Sequence, residues 1–545
     1  MTSVTGTPLP SRWRDAWVGP VVALVHALPT GGARLGVWRD DAMYADMAES
    51  LLRAGPIVAD CLPGAPGMAK YPLGFPALLA LFRAVGLSWE AVLCMQALLW
   101  GLAAQVVVSG LLPRLGASPS ARVAVGLLLA VNTVTFLLVP QVMSEPAFTL
   151  VLVSLATLVL DPAPRRRTLF GIASLTFALG ALRGAGSLYA LAGAFVAFGA
   201  GRRRLAGALA AGWTLSTALS HVQRALTPTP APELAELLRY YVNYDVHTGW
   251  YAQRWAEGGP LAMLSALARV AEVNIGLGLR SLGQFLSPGA YVGVESTGSG
   301  AQELALGTAL LSLAVIGAWR HARPLAVLFI VHTGVFLVWT WPFSGRFWLP
   351  MIPLLFALTV RFADGLRAWS ARVLFWTVFA FVLIGNAFVP AYSAKGRLSG
   401  NAPPGATAGG DGEEAGLLEG VAALHERAAS GDVVVGELYV FWLAREPNLH
   451  AVPARDLVPF DDALAEVMGW GAPGQDRTRL SGIFSANLAK LRRITPTHAT
   501  VWVVIEAGRA DEKRMWIQDA TRAGQIEAVG VFGSLWFGRV VPAAD

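Results

Sequence analysis

Charge is scarce in this chain. Of its 545 residues only 14% are charged, where a soluble domain carries about 25%. Cysteine is almost absent: two residues, Cys61 and Cys94, the second inside an apolar run, exclude a disulfide framework. No histidine or cysteine pair has metal-ligand spacing, and His26, His221, His321 and His332 stand isolated. The apolar runs themselves are nearly free of Asp and Glu. A net charge of +6, spread over short clusters, excludes an extended nucleic-acid surface. We found no internal repeat.

What fills the chain instead is hydrocarbon. The hydrophobic fraction is 54% and the mean hydropathy +0.52, the composition of a polytopic membrane protein. A bilayer core of about 30 Å takes roughly 20 apolar residues as helix. The expected spans are 16–33, 88–112, 121–139, 146–160, 168–182, 186–200, 204–222, 301–319, 323–341, 347–361 and 371–392, about eleven. Residues 74–86 are too short to cross and contain Arg83, so an interfacial helix is expected there. A cleaved signal peptide over 1–33 competes with the first span, but it would leave the next loop unanchored.

Basic residues mark one side. Arg12 and Arg14, Arg114 and Arg122, Arg165–Arg167, Arg202–Arg204, Arg320 and Arg323, and Arg361, Arg367 and Arg372 all fall in alternate loops. The positive-inside rule then puts the N-terminus in the cytoplasm and the C-terminal part outside. Residues 1–392 read as a transmembrane domain with large external loops at 34–87 and 227–300. Residues 393–545 read as an extracytoplasmic α/β domain entered through the Gly/Pro/Ala linker 400–416. Strands are expected in 432–443, 499–508 and 530–541, with helices over 414–429 and 478–492. Tyr240, Tyr241, Tyr244, Trp250 and Trp255 suit an interfacial belt better than a sugar site.

Acids are the anomaly. Asp40 and Asp41, in "WRDDAMYADMAESLLRAG", follow the first span and suit the start of a helix, with Asp40 a plausible N-cap. Lys70, in "KYPLGFP", marks the return to the membrane, where a snorkelling anchor is the plain alternative. Lys70, Arg183 and Arg346 all lie at expected external membrane boundaries, where ionisable residues suggest a site. Glu145 opens a span in "SEPAF", where it would complement the helix dipole.

These segments resemble the GT-C superfamily of membrane glycosyltransferases, in particular the protein O-mannosyltransferase and lipid A aminoarabinose transferase branch. The resemblance rests on "RDDAMYADMAESLLRAG" and "KYPLGFP", with Leu73 in place of a second proline. "MSEPAFTL", "ALGALRGAGSLYALAG" and "GRFWLPMIPLLFAL" extend it over most of the first 360 residues. It implies a GT-C-like fold of about eleven to thirteen helices. It implies inverting transfer of a sugar from a polyprenyl-phosphate donor to a hydroxyl on a glycan, lipid or protein at the external face. Asp40 is then the base, Asp41 its support and Glu145 a second acid that positions acceptor or metal. Lys70, Tyr71, Arg183 and Arg346 would hold the lipid phosphate. No cofactor is required by the sequence, a divalent metal is left open, and the partners are donor, acceptor and membrane lipids without nucleic acid. The location implied is a bacterial-type inner membrane. A transporter or flippase would instead place acids or breaks inside spans, and an envelope scaffold would leave the loop acids without a role.

Overall fold

The computed structural model describes residues 15–28, 39–238, 246–287, 300–398, 411–436, 449–457, 468, 477–506, 512–532 and 535–541. Each expected span carries a helix among them. In chain order the first are α1 (Val18–Ala27), α2 (Arg39–Leu52), α3 (Gly74–Ala84), α4 (Trp89–Arg114) and α5 (Pro119–Val131). Next come α6 (Thr133–Leu138), α7 (Glu145–Val159), α8 (Arg166–Leu182), α9 (Gly184–Gly199), α10 (Arg203–Leu226) and α11 (Pro232–Leu237). Then follow α12 (Val246–Gly283), α13 (Ala301–His321), α14 (Arg323–Leu337), α15 (Gly345–Asp364) and α16 (Trp369–Leu398). The chain is a helical polytopic membrane protein with a small C-terminal sheet.

Five of these helices are long and apolar enough to cross a membrane outright, and four coincide with expected spans. The fifth, Thr248–Gly283, lies in what reads from sequence as an external loop. Its backbone explains this. Gly258 and Gly259 leave helical geometry, Gly259 with φ +70°, and Pro260 follows. Tyr251 Oη donates to Val338 O at 2.7 Å, and Asn274 Nδ2 donates to Trp339 O at 2.9 Å. A straight helix would separate those two residues by about 34 Å. The helix therefore doubles back at the glycines, and both its arms meet the same end of α14.

The third span is broken. Asn132 leaves the helix with ψ 119° and caps α6 by accepting from Thr135 N at 3.1 Å. The freed polar groups stay in the protein, as hydrocarbon requires. Asn132 Nδ2 reaches Phe285 O at 2.7 Å, and Thr133 N donates to Asn386 Oδ1 at 3.0 Å.

Two ends of the bundle can be told apart by contacts. At one end Asp364 of α15 accepts from Ser118 N at 2.9 Å, Arg361 Nε donates to Leu115 O at 2.7 Å, and Arg122 forms a buried pair with Asp15. At the other end the first loop folds into a cap. Asp46 Oδ2 accepts from Cys61 N at 2.6 Å, and Gln223 of α10 donates to Met68 O at 3.2 Å and Tyr71 O at 2.8 Å. The loop is pressed so closely on the end of α10 that a side chain at Gly67 would meet Pro228 O at 2.2 Å. Helix α3, 11 residues long, is too short to cross, as expected.

The tail forms a five-stranded sheet in the order β2-β1-β3-β5-β4. Its strands are β1 (Val433–Gly436), β2 (His450–Pro453), β3 (Val501–Glu506), β4 (Ile526–Phe532) and β5 (Leu535–Val540). The first three are parallel, and β5 pairs antiparallel with β3 and β4. Helices Asp411–Arg427 and Arg477–Ile494 match the expected ones. Residues 437–443 of the first expected strand, residues 400–410 of the linker, and Tyr240, Tyr241 and Tyr244 lie outside the described residues. The sheet rests on the cap: Ala451 N donates to Cys61 O at 2.6 Å, and Lys490 Nζ pairs with Glu236 Oε2 at 2.5 Å.

Single cysteines test the doubled-back helix. In a protein whose own two cysteines are replaced by serine, cysteines at 253 and 300 should react with a membrane-impermeant maleimide from the side that labels position 60, and one at 166 from the opposite side. Labelling of 253 and 300 from opposite sides would make α12 a true span.

Candidate functional site

The site gathers four chain segments at the capped end. Helix α2 supplies Asp40. The acid expected to cap this helix lies inside its first turn, because the helix begins at Arg39. Its carboxylate faces neighbouring segments instead. Tyr71 Oη donates to Asp40 Oδ1 at 2.7 Å, and Arg346 Nη2 pairs with Oδ2. Asp41, 1% exposed, accepts from Ala42 N at 2.7 Å.

Arg346 is the second residue of α15, which the extended Ser344 precedes. Glu145 opens α7 and is 1% exposed. One of its oxygens, Oε1, is met by two arginines: Arg183 Nη1 at 2.6 Å and Arg346 Nε at 3.6 Å. Arg183 is the corner residue between α8 and α9, in extended geometry (φ −151°, ψ 139°), and its side chain reaches Glu145. Gly186 keeps the corner tight, since a Cβ there would meet Leu179 O at 2.3 Å. Both guanidinium groups lie over aromatic rings, Arg183 over Phe148 at 5.9 Å and Arg346 over Phe347 at 5.5 Å. Lys70 Nζ lies 5.7 Å from the centre of the Tyr71 ring.

The electrostatics follow from this geometry. Burial alone would raise the Asp40 pKa. The charge and hydrogen bond of Arg346, the Tyr71 hydroxyl and Lys70 outweigh it and hold the carboxyl at about 2. Tyr44, one turn along α2, is pushed up by burial and by the Asp40 charge. Its ring packs edge-on to Tyr71 at 5.1 Å and Phe75 at 4.9 Å.

The structure thus brings together Asp40, Glu145, Lys70, Tyr71, Arg183 and Arg346, six of the seven residues singled out from sequence. Asp41 is adjacent and turned to its own helix backbone. Sequence reasoning passed over others. Tyr44 reads as one more apolar position of α2. Gln284, buried directly after the end of α12, places Oε1 within 3.9 Å of where a Cβ on Gly345 would stand. His332 looks isolated in sequence, yet Tyr189 Oη lies 2.6 Å from its Nδ1, among Phe336, Phe343 and Trp348. An apolar groove lined by Leu152, Leu179, Tyr189, Val196, Leu209 and Leu328 follows α9 as far as Arg202.

The fold is that of the GT-C membrane glycosyltransferases. ArnT from Cupriavidus metallidurans bound to undecaprenyl phosphate is similar over 97% of this chain and 99% of its own, with a TM-score of 0.53 and 15% identity. The oligosaccharyltransferase AglB from Archaeoglobus fulgidus, in complex with an inhibitory peptide and a dolichol-phosphate, is similar over 98% of this chain and 75% of its own, with a TM-score of 0.51 and 12% identity. No family model and no curated protein matches the sequence.

The lowered Asp40 pKa carries a stability consequence. The folded carboxyl titrates near 2 and an ordinary one near 3.8. The stability due to this pair is therefore fully present above pH about 4 and is lost as the pH falls through about 2, a contribution of about 2 kcal/mol. Thermal unfolding followed at pH 6, 4, 3 and 2 should show the unmodified protein losing more stability below pH 4 than Asp40→Asn does. Parallel losses would mean that the pair makes no such contribution.

Proposed function

We propose that this chain is an inverting glycosyltransferase that moves a sugar from a polyprenyl-phosphate donor to a hydroxyl acceptor. The acceptor is a glycan, lipid or protein. The reaction runs on the external face of a bacterial-type inner membrane, with the N-terminus in the cytoplasm and residues 393–545 outside. The observation that carries this is the convergence of two acids and two arginines, with Lys70 beside them, at the capped end of an apolar bundle. A scaffold gives no reason for distant segments to gather such groups. The GT-C fold, shared with a protein bound to undecaprenyl phosphate, supports the donor class.

The chemistry needs a base and an electrophilic support for the leaving group. Asp40 takes the proton of the acceptor hydroxyl as its oxygen attacks the anomeric carbon. The bond from that carbon to the phosphate oxygen breaks, and its electron pair leaves on the lipid phosphate. Arg183, Arg346 and Lys70 stabilise that charge, with Tyr71 lining the same pocket. Glu145 holds both arginines on one point, which preorganises the clamp. The polyprenyl chain lies along the groove beside α9, and the tail covers the cap as an accessory to acceptor binding.

Two measurements test the reading. Mass spectrometry of envelope glycans and glycoproteins should show a missing sugar when this gene is deleted, and unchanged glycans would count against it. With the purified protein, Asp40→Asn should lower turnover by about 10²–10⁴-fold, the usual contribution of a general base. Turnover at the unmodified rate would remove Asp40 from the chemistry.

A further inference from the structure

We propose that the donor's phosphate and Asp40 compete for Arg346, so that the base is released for proton transfer only once a phosphate is seated. This rests on the reading above and adds a regulation of that same site.

The geometry is a line of alternating charges: Asp40, Arg346, Glu145, Arg183. Asp40 has an oxygen on Tyr71 and the other on Arg346. Arg346 also faces Glu145, which Arg183 already holds at 2.6 Å. Two acids and two arginines leave this line with no net formal charge. A carboxylate engaged in this way is a poor proton acceptor, since its closest cation stabilises the ionised form. The donor-free arrangement therefore holds the clamp and the base against each other.

An incoming phosphate changes the balance. Guanidinium groups match phosphate oxygens with paired N–H donors, and a phosphate offers more acceptor oxygens than one carboxylate. Glu145 does not give way easily. It is buried, and it keeps Arg183. Asp40 lies nearer the surface, with 15% of its side chain exposed, and is the partner that yields. The groups facing it are Arg346 from α15, Tyr71 and Lys70 from the segment before α3, and Tyr44 from its own helix, with Glu145 and Arg183 beyond Arg346. Once Arg346 turns to the phosphate, Asp40 keeps the Tyr71 hydroxyl, loses its strongest cation and gains proton affinity. Acceptor deprotonation is thereby tied to the presence of the donor.

The coupling can be read without turnover. Full-length protein in phosphatidylcholine nanodiscs is titrated with undecaprenyl phosphate, and the apparent Kd is compared among the unmodified protein, Asp40→Asn, Arg346→Gln and the double variant. Competition predicts that Asp40→Asn binds about tenfold tighter than the unmodified protein, within the usual range of coupling between sites. It also predicts no effect of Asp40→Asn when Arg346 is already Gln, and none on binding of undecaprenol, which lacks the phosphate. Asp40→Ser supplies the same comparison should the amide variant not fold. Equal binding by the unmodified protein and Asp40→Asn overturns the inference alone, as does tightening that persists beside Arg346→Gln. Failure of the unmodified protein to bind undecaprenyl phosphate overturns the proposed donor class and this inference with it.

Discussion

A charged side chain at the edge of a bilayer needs a partner, and in this protein the partners come from distant parts of the sequence. Asp40 and Arg346 are 306 positions apart and meet in one ion pair. Glu145 and Arg183 extend it. Removing ions from water is costly, so measured against a well-packed apolar replacement such pairs gain little, although losing one partner's charge is destabilising. Their effect is geometric. Each guanidinium is turned by its partner toward a single point, so the first loop, the start of α7, the corner before α9 and the start of α15 must assemble together or leave a charge unpaired.

The rest of the capped end serves that assembly. Gln223 fixes the backbone at Met68 and Tyr71, which sets the tyrosine hydroxyl on Asp40. Asp46 holds the loop at Cys61, and the tail's β2 adds a backbone hydrogen bond to the same residue. Loop, bundle and tail are thus joined through a few hydrogen bonds within one short stretch of chain, residues 60–71. The broken span at Asn132 lies deeper and satisfies its own polar groups through Asn386 and Phe285. Its role is to join α16 to α5 and α6, and it offers no unpaired acid for transport.

The spans were legible because hydropathy depends on composition alone: 18 to 20 apolar residues have few other places to go. The same argument is incomplete at α12. A window over 248–283 is apolar enough to cross, and the Gly258–Gly259–Pro260 turn breaks its helical backbone. That turn is visible in sequence as a breaker, but its angle is not. The sequence reads the segment as part of an external loop; the long apolar helix found there, both arms of which meet one end of α14, was not foreseen. Asp40 shows the opposite limit. As a residue before a helical pattern it looks like a cap, and helix boundaries shift by a residue or two without any trace in composition.

By itself, then, the sequence determined the apolar segments, the side on which basic residues cluster and the few acids that stand outside the hydrocarbon. These follow from transfer energies that each residue carries wherever it is placed. The tertiary structure alone decided which acid faces which arginine, that Glu145 is shared, that Tyr44 and Gln284 stand beside the site, and that three parallel strands join an antiparallel pair in the tail. Those are contacts between segments far apart in the chain. Their energies depend on distance and direction, and neither quantity exists until the helices have packed.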